Sequence, residues 1–204
     1  MPTVDNRGIR IHYEVHGSGH PVVLIHGGTV SFKHNYADFG WIESLNGIGL
    51  QVIGLDLRGH GKSGKPHEVE SYGTSNLASD VVAVLDQLSL ARASLVAYSI
   101  GTAVALHLLQ TAPERFDRAA LIATGDGLIG HPPHTFANIS PALLDVLNRT
   151  EYPKDLPKYL STYWNFVAAT GGDWQALRAL AQASYAPLSM TDAADITIPT
   201  LVVS

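Results

Sequence analysis

The stretch "LVAYSIGTAV", Leu95 to Val104, sets Ser99 between an apolar run and a helical pattern, with small residues at Ala97 and Gly101 two positions to either side. A serine on such a strand–turn–helix junction is lifted out of the sheet, and only small flanking side chains let strand and helix approach that closely. The chemistry it suits is nucleophilic attack on an acyl carbon. A competing reading makes Ser99 a plain helix N-cap, a common task for serine. The pattern is A-x-S-x-G, so Ala97 adds a methyl group at the tightest point.

A second stretch, "VLIHGGTVSF", ends an apolar run in His26, Gly27 and Gly28. Two glycines there allow the backbone to swing, so that the amide of Gly28 points into the site and meets the amide of Ile100. Such a pair would hold the oxyanion of an acyl-transfer intermediate, each donor lowering the barrier by about 3 kcal/mol. "HGG" alone is also compatible with a phosphate-binding turn or a plain one. His26 precedes Ser99 and sits under this loop, which reads as a structural role.

"DLRGHGKSGKP", from Asp56 to Pro66, invites a nucleotide reading. A P-loop of the form G-x-x-x-x-G-K-S needs glycine where this chain has Asp56, so that reading fails. Lys62 and Ser63 are then solvated loop residues or local packing contacts.

The elements that would position these residues follow from hydrophobic period. Ile9, Ile11, Tyr13 and Val15 alternate with polar residues, as in a half-buried antiparallel strand, and "GSGHP" then turns the chain. "PVVLI" (21–25), "QVIGLDL" (51–57), "ASLVAY" (93–98) and "AALIAT" (119–124) are nearly continuous apolar runs, expected of parallel strands covered on both faces. Between them, Leu77, Val81, Val84, Leu85 and Leu88 share one helical face behind Thr74 or Ser75 as cap, and a second helix runs from about Ile100 to Thr111. Alternating strand and helix implies an α/β fold whose site lies at the carboxyl ends of the strands. Residues 1–125 read as core, and 126–195, with "GHPPH" and aromatic helical pieces but no strand-like run, as a helical cap. Residues 196–204 begin a returning core strand, expected to be central.

Bulk properties exclude several classes. Of 204 residues, 46% are apolar and 15% charged, and the formal net charge is -5, which fits a soluble globular chain and offers no footprint for nucleic acid or an anionic membrane. Cysteine is absent, so disulfides and thiolate chemistry are excluded. The start lacks a secretory pattern, and the apolar stretch 93–109 is shorter than the roughly 20 residues a bilayer span needs. The expected location is cytoplasmic; oligomeric state is not readable.

In this order and spacing, "VVLIHGG", "DLRGHGKSGKP", "LVAYSIGTAVAL", "APERFDRAALIA" and "IPTLVVS" resemble the α/β-hydrolase superfamily, in its esterase, lactonase, cofactor-free haloperoxidase and C–C hydrolase branch. The resemblance implies a mostly parallel central sheet flanked by helices with a helical cap insertion. It matches Ser99 to the nucleophile, Gly28 and Ile100 to the oxyanion amides, and Asp56, Arg58 and Ser63 to structural turn positions. The substrate implied is a small, fairly apolar ester or lactone, with no cofactor and no metal required. Epoxide hydrolases and haloalkane dehalogenases of this fold carry an aspartate at the position of Ser99, which disfavours those chemistries.

The same resemblance places the triad acid and histidine after Ser99 in chain order, beyond a strand like "TLVVS". Residues 1–204 would then be a fragment of low activity, lacking the last strand and helix. His107 is about 12 Å along the helix from the serine and cannot serve as its base. Asp126 with His131 or His134 is a substitute relay in the allowed order, although a loop turn at Asp126 and a cap starting at "GHPPH" is the preferred reading. A metal site from these three is less favoured still, since nothing fixes them on one regular face. The rival to the enzyme is a non-catalytic ligand-binding protein on the same fold.

Overall fold

The computed structural model describes residues 2–135, 141–149, 151 and 155–204. The chain opens with β1 (Thr3–Asn6) and β2 (Ile9–His16), paired antiparallel with Asn6 opposite Ile9. The two linking residues, Arg7 and Gly8, both have positive φ, at 56° and 81°. That is the conformation a two-residue hairpin turn requires to match the strands' twist. In β2 the apolar alternation holds at Ile11 and Tyr13, but Val15 at its end is exposed.

β3 (His20–Ile25), β4 (Leu50–Leu55), β5 (Ala93–Tyr98), β6 (Phe116–Ile122) and β9 (Thr200–Val203) complete a seven-stranded sheet in the order β1-β2-β4-β3-β5-β6-β9. β4 pairs antiparallel with β2, and every pairing from β4 to β9 is parallel. β9 pairs with β6 among the described residues, and Leu201, Val202 and Val203 are exposed.

Both faces of the sheet are covered. Period 2 sends Val23 and Ile25 of β3 into one cluster, and Val22 and Leu24 into another on the opposite face. The first cluster holds α3 (Thr74–Gln87) and α4 (Ile100–Thr111), and the second holds Phe32 of α1 (Phe32–Asn35) with Trp41, Ile42 and Leu45 of α2 (Trp41–Gly47). Leu77, Val81, Val84 and Leu85 form the buried stripe of α3 as their spacing predicts. Its cap differs: Gly73 holds the N-cap position without a side-chain bond. Thr74 is already helical there, so its buried hydroxyl has no partner.

Residues after 125 are mainly helical: α5 (Pro141–Asn148), α6 (Lys158–Ala169), α7 (Trp174–Gln182) and the short α8 (Met190–Ala194). They also contain strands the composition did not announce. β7 (His134–Thr135) and β8 (Ser184–Tyr185) pair antiparallel, because two-residue strands leave no periodic signal. Leu147, Val167, Leu177 and Ala181 make a separate apolar cluster in this region. No described helix is long and apolar enough to cross a membrane.

Candidate active site

β5 ends at Tyr98 and α4 begins at Ile100, leaving a single residue to turn the chain. That residue is Ser99, with φ 51° and ψ -120°. For a non-glycine residue this region is sparsely populated and costs of order 1–3 kcal/mol, so the surroundings must hold it. They do: Ser99 N–H donates to the Ile122 carbonyl at 2.9 Å, and the Ser99 carbonyl accepts from the Thr102 amide at 2.8 Å and the Thr102 hydroxyl at 2.6 Å. The Ser99 side chain makes no capping bond, although the residue holds the N-cap position. Its backbone is tied down while its hydroxyl is not.

The small neighbours have visible reasons. A Cβ on Gly101 would stand 2.7 and 2.8 Å from the carbonyl oxygens of Ile25 and His26, so α4 can lie against β3 only with glycine here. Ala97 is fully buried beneath the turn.

The loop after β3 runs beside this turn. A Cβ on Gly27 would lie 3.0 Å from the Tyr98 ring and 3.4 Å from Ser99 Cβ, and one on Gly28 would lie 3.7 Å from the Ile100 side chain. Gly28 and Ile100 are therefore brought together next to Ser99. The swing of the backbone is not where two glycines suggested: neither has a positive φ, and the left-handed residue is Thr29, at 66°. Gly27 supplies close approach, and the β-branched residue Thr29 takes the strain.

Two buried histidines flank this loop. His26 Nε2 accepts from Leu57 N–H at 3.0 Å, so in the neutral ring Nδ1 carries the proton and donates to the Gly27 carbonyl at 2.7 Å. The Gly27 carbonyl and the Gly28 N–H belong to one trans peptide and point in opposite directions, so His26 aims the Gly28 N–H away from itself. His60 Nε2 accepts from Thr29 N–H at 3.2 Å, and its Nδ1–H donates to the Arg58 carbonyl at 3.0 Å. The two rings meet edge to face at 4.9 Å. Burial lowers the pKa of both, His60 to about 3 with help from the adjacent His26, so both rings are neutral acceptors at ordinary pH. Asn35 accepts from Gly27 N–H at 2.9 Å, and the Tyr36 hydroxyl donates to the Ile25 carbonyl at 3.0 Å, fixing the loop from α1 and its C-terminal edge.

The turn from Asp56 to Ser63 is a scaffold, and no glycine-lysine phosphate cradle forms. The Asp56 carboxylate accepts from the amides of Phe32 and Lys62, both at 2.9 Å, and Ser63 donates to the Asp56 carbonyl at 2.5 Å. Arg58 makes a two-pronged bond to Asp80 of α3 at 2.7 and 2.8 Å, fully out of solvent. Ser63 is buried, while the Lys62 side chain is half exposed.

Among the described residues, no histidine nitrogen makes a hydrogen bond to Ser99. His107 lies in a groove between α3 and α4 with Asn6, Asp86 and Thr111, away from the turn. His131 is exposed. The side chains of Asp126 and His134 lie outside the described residues, and with them the substitute relay and the metal set; no other metal-ligating group of three occurs among the described residues. Of the aromatics in the helical region, Tyr163 and Trp174 pack on the Leu147–Val167–Leu177–Ala181 cluster, Trp164 lies tilted 4.4 Å from Trp174, and Tyr159 is exposed. Sequence reasoning passed over Asn35, Thr29 and His60; the signal for His60 was a histidine inside a glycine-rich turn.

Comparisons with known proteins agree with this geometry. The alpha/beta hydrolase fold family matches residues 20–200. The chain is 33% identical over 143 residues to an AB hydrolase superfamily protein, YfhM, of Bacillus subtilis (strain 168), covering 68% of this chain and 46% of that protein. It is 32% identical over 120 residues to bifunctional epoxide hydrolase 2 of Sus scrofa, covering 57% of this chain and 20% of that protein. It thus spans less than half the length of these relatives. Among solved structures, Est816, described as an N-acyl homoserine lactone degrading enzyme, superimposes with a TM-score of 0.70 at 28% identity, covering 98% of this chain and 80% of that one. The family match covers most of the chain and the solved structure shares its fold, and the chain belongs to the alpha/beta hydrolase fold family.

Proposed function

We propose that this chain is the nucleophile-bearing part of a serine hydrolase that cleaves a small, fairly apolar ester or lactone through an acyl-enzyme. The observation that carries the reading is Ser99 at φ 51°, its backbone bonded on both sides and its hydroxyl left out of the helix cap. A merely capping serine would have its hydroxyl on the helix amides. Ser99 Oγ attacks the carbonyl carbon, and the amides of Gly28 and Ile100 receive the oxyanion. Ile100 is the first residue of α4, whose opening amides have no partner within the helix. Collapse expels the alcohol, and water then releases the acid and restores the serine. The proton leaves Ser99 for a histidine, which returns it to the departing alkoxide; in the chain order of the family that histidine and its acid follow Ser99. The helices after residue 126 act as a cap over the site, and no cofactor takes part.

Position 99 also argues against epoxide opening, despite the epoxide hydrolase among the relatives. A carboxylate that opens an epoxide forms an ester, which water can cleave. A serine oxygen would form an ether, which water cannot, and the enzyme would stop after one turnover. The lactone-degrading neighbour supports the acyl-transfer reading instead.

Hydrolysis of a short-chain nitrophenyl ester and of an acylated lactone, by the protein with a chain that includes the relay histidine and acid and by its Ser99→Ala variant, tests it. The expected result is turnover of at least one substrate, lowered by about 10³-fold or more in the variant. Equal rates in both would refute the assignment.

A further inference from the structure

The nitrogen Nε2 of His60, 3.2 Å from the Thr29 amide, does more than fill space in the Asp56–Ser63 turn. We infer that His60 is a positioning residue for acyl transfer: as a buried hydrogen-bond acceptor it holds Thr29 in its left-handed conformation and thereby fixes the amide of Gly28 toward Ser99. The inference rests on the serine hydrolase reading above.

Thr29 is β-branched and sits at φ 66°, a conformation that the chain would leave unless something held it. Its amide has one acceptor, and that acceptor is an imidazole nitrogen, since Nδ1–H of the same ring is used by the Arg58 carbonyl. The ring cannot turn away. It is buried, braced by the His26 ring at 4.9 Å, and carried by a turn that the Arg58–Asp80 pair anchors to α3. One residue earlier, the Gly27–Gly28 peptide is held from its carbonyl side by His26 and from the Gly27 amide by Asn35. Gly28 is therefore pinned at both ends, by His26 before it and His60 after it. Loss of the His60 acceptor would free the later end and let Thr29 relax to negative φ, rotating the loop that carries the Gly28 N–H. Binding of the probe should change little, because both ring nitrogens of His60 bond backbone groups, those of Thr29 and Arg58.

The test compares His60→Phe, which keeps the ring volume and removes the acceptor, with His60→Gln, whose Oε1 can reach the place of Nε2. Two readouts are needed: the rate at which a fluorophosphonate modifies Ser99, split into a binding constant and a limiting rate, and the hydrogen-exchange rate of the Thr29 amide. The expected result is a limiting rate at least about tenfold lower for His60→Phe, with the binding constant within about threefold. His60→Gln should recover most of the rate and keep the slow Thr29 exchange that His60→Phe loses. Equal limiting rates in the wild type and His60→Phe would overturn the inference, as would a rate loss of the same size in Phe and Gln, which would mark a packing role. Wild-type protein whose chain includes the relay histidine and acid and whose Ser99 is still not modified would overturn the serine reading itself. That failure is distinguishable, since Thr29 exchange still reports the contact.

Discussion

The turn from Asp56 to Ser63 and the helical region from Pro141 to Tyr185 bury polar groups by opposite rules. In the turn, the Asp56 carboxylate, the Ser63 hydroxyl and both ring nitrogens of His60 have partners between 2.5 and 3.2 Å. In the helical region, the hydroxyl of Tyr185 is buried with no hydrogen-bond partner among the described residues. A network satisfied at every member fixes one arrangement, because any displacement leaves a buried group unpaired. Apolar packing tolerates exchange of side chains of similar volume. The turn is thus suited to hold a loop in one arrangement, and the helical region to accept exchange of its side chains.

The sharpest way to break this contrast is in the turn's anchor. Asp80→Ala leaves the Arg58 guanidinium buried without its carboxylate, and about 3–5 kcal/mol of stability should be lost in urea unfolding. A loss below about 1 kcal/mol would show the pair to be dispensable. Gly101→Ala pushes a methyl group against the Ile25 and His26 carbonyls and should cost about 1–3 kcal/mol, together with most of the reactivity of Ser99. Unchanged stability would mean that α4 can retreat from β3.

In the helical region the effects should be smaller. The Asp173 carboxylate caps α7 by accepting from the amides of Gln175 and Ala176, both at 3.0 Å, and meets His67 at 3.2 Å. Partial burial pushes its pKa up, but the Ala176 amide and the His67 ring outweigh this and hold it below 3.8. A carboxyl favoured as the anion in the fold contributes stability above about pH 4 and loses that contribution as pH falls through its folded pKa. Asp173→Ala should cost about 1 kcal/mol at pH 7, and the variant should lack that part of the wild type's acid sensitivity, as thermal unfolding across pH 3–7 would reveal. The smallest effect has the opposite sign. Tyr185→Phe removes an unpaired buried hydroxyl and should be neutral or stabilising by up to about 1 kcal/mol. A clear destabilisation would mean that the hydroxyl is partnered after all.

The same contrast governs what the sequence discloses. β5 and α4 are legible to the residue, because an unbroken apolar run gives way at Ser99 to a helical pattern that stops at Thr111 ahead of Pro113. β1 is not, since "TVDN" carries no apolar alternation and is a strand only through the Arg7–Gly8 turn and its pairing with β2. The gathering of Gly28 and Ile100 beside Ser99 follows from small-residue spacing, which is a local property. Thr29 taking the positive φ in place of a glycine, and His60 bonding an amide 31 residues away, are properties of the folded loop pair. The N-cap of α3 failed for a related reason: threonine's propensity points to Thr74, while the approach from Gly73 decides.

The central claim is that Ser99 is the nucleophile, and locating a covalent adduct tests it most directly. After treatment of the folded protein, in a chain that includes the relay histidine and acid, with a fluorophosphonate, peptide mass mapping should place one adduct on Ser99, with none formed in Ser99→Ala. An adduct on another serine, or equal modification of the variant, would contradict the account.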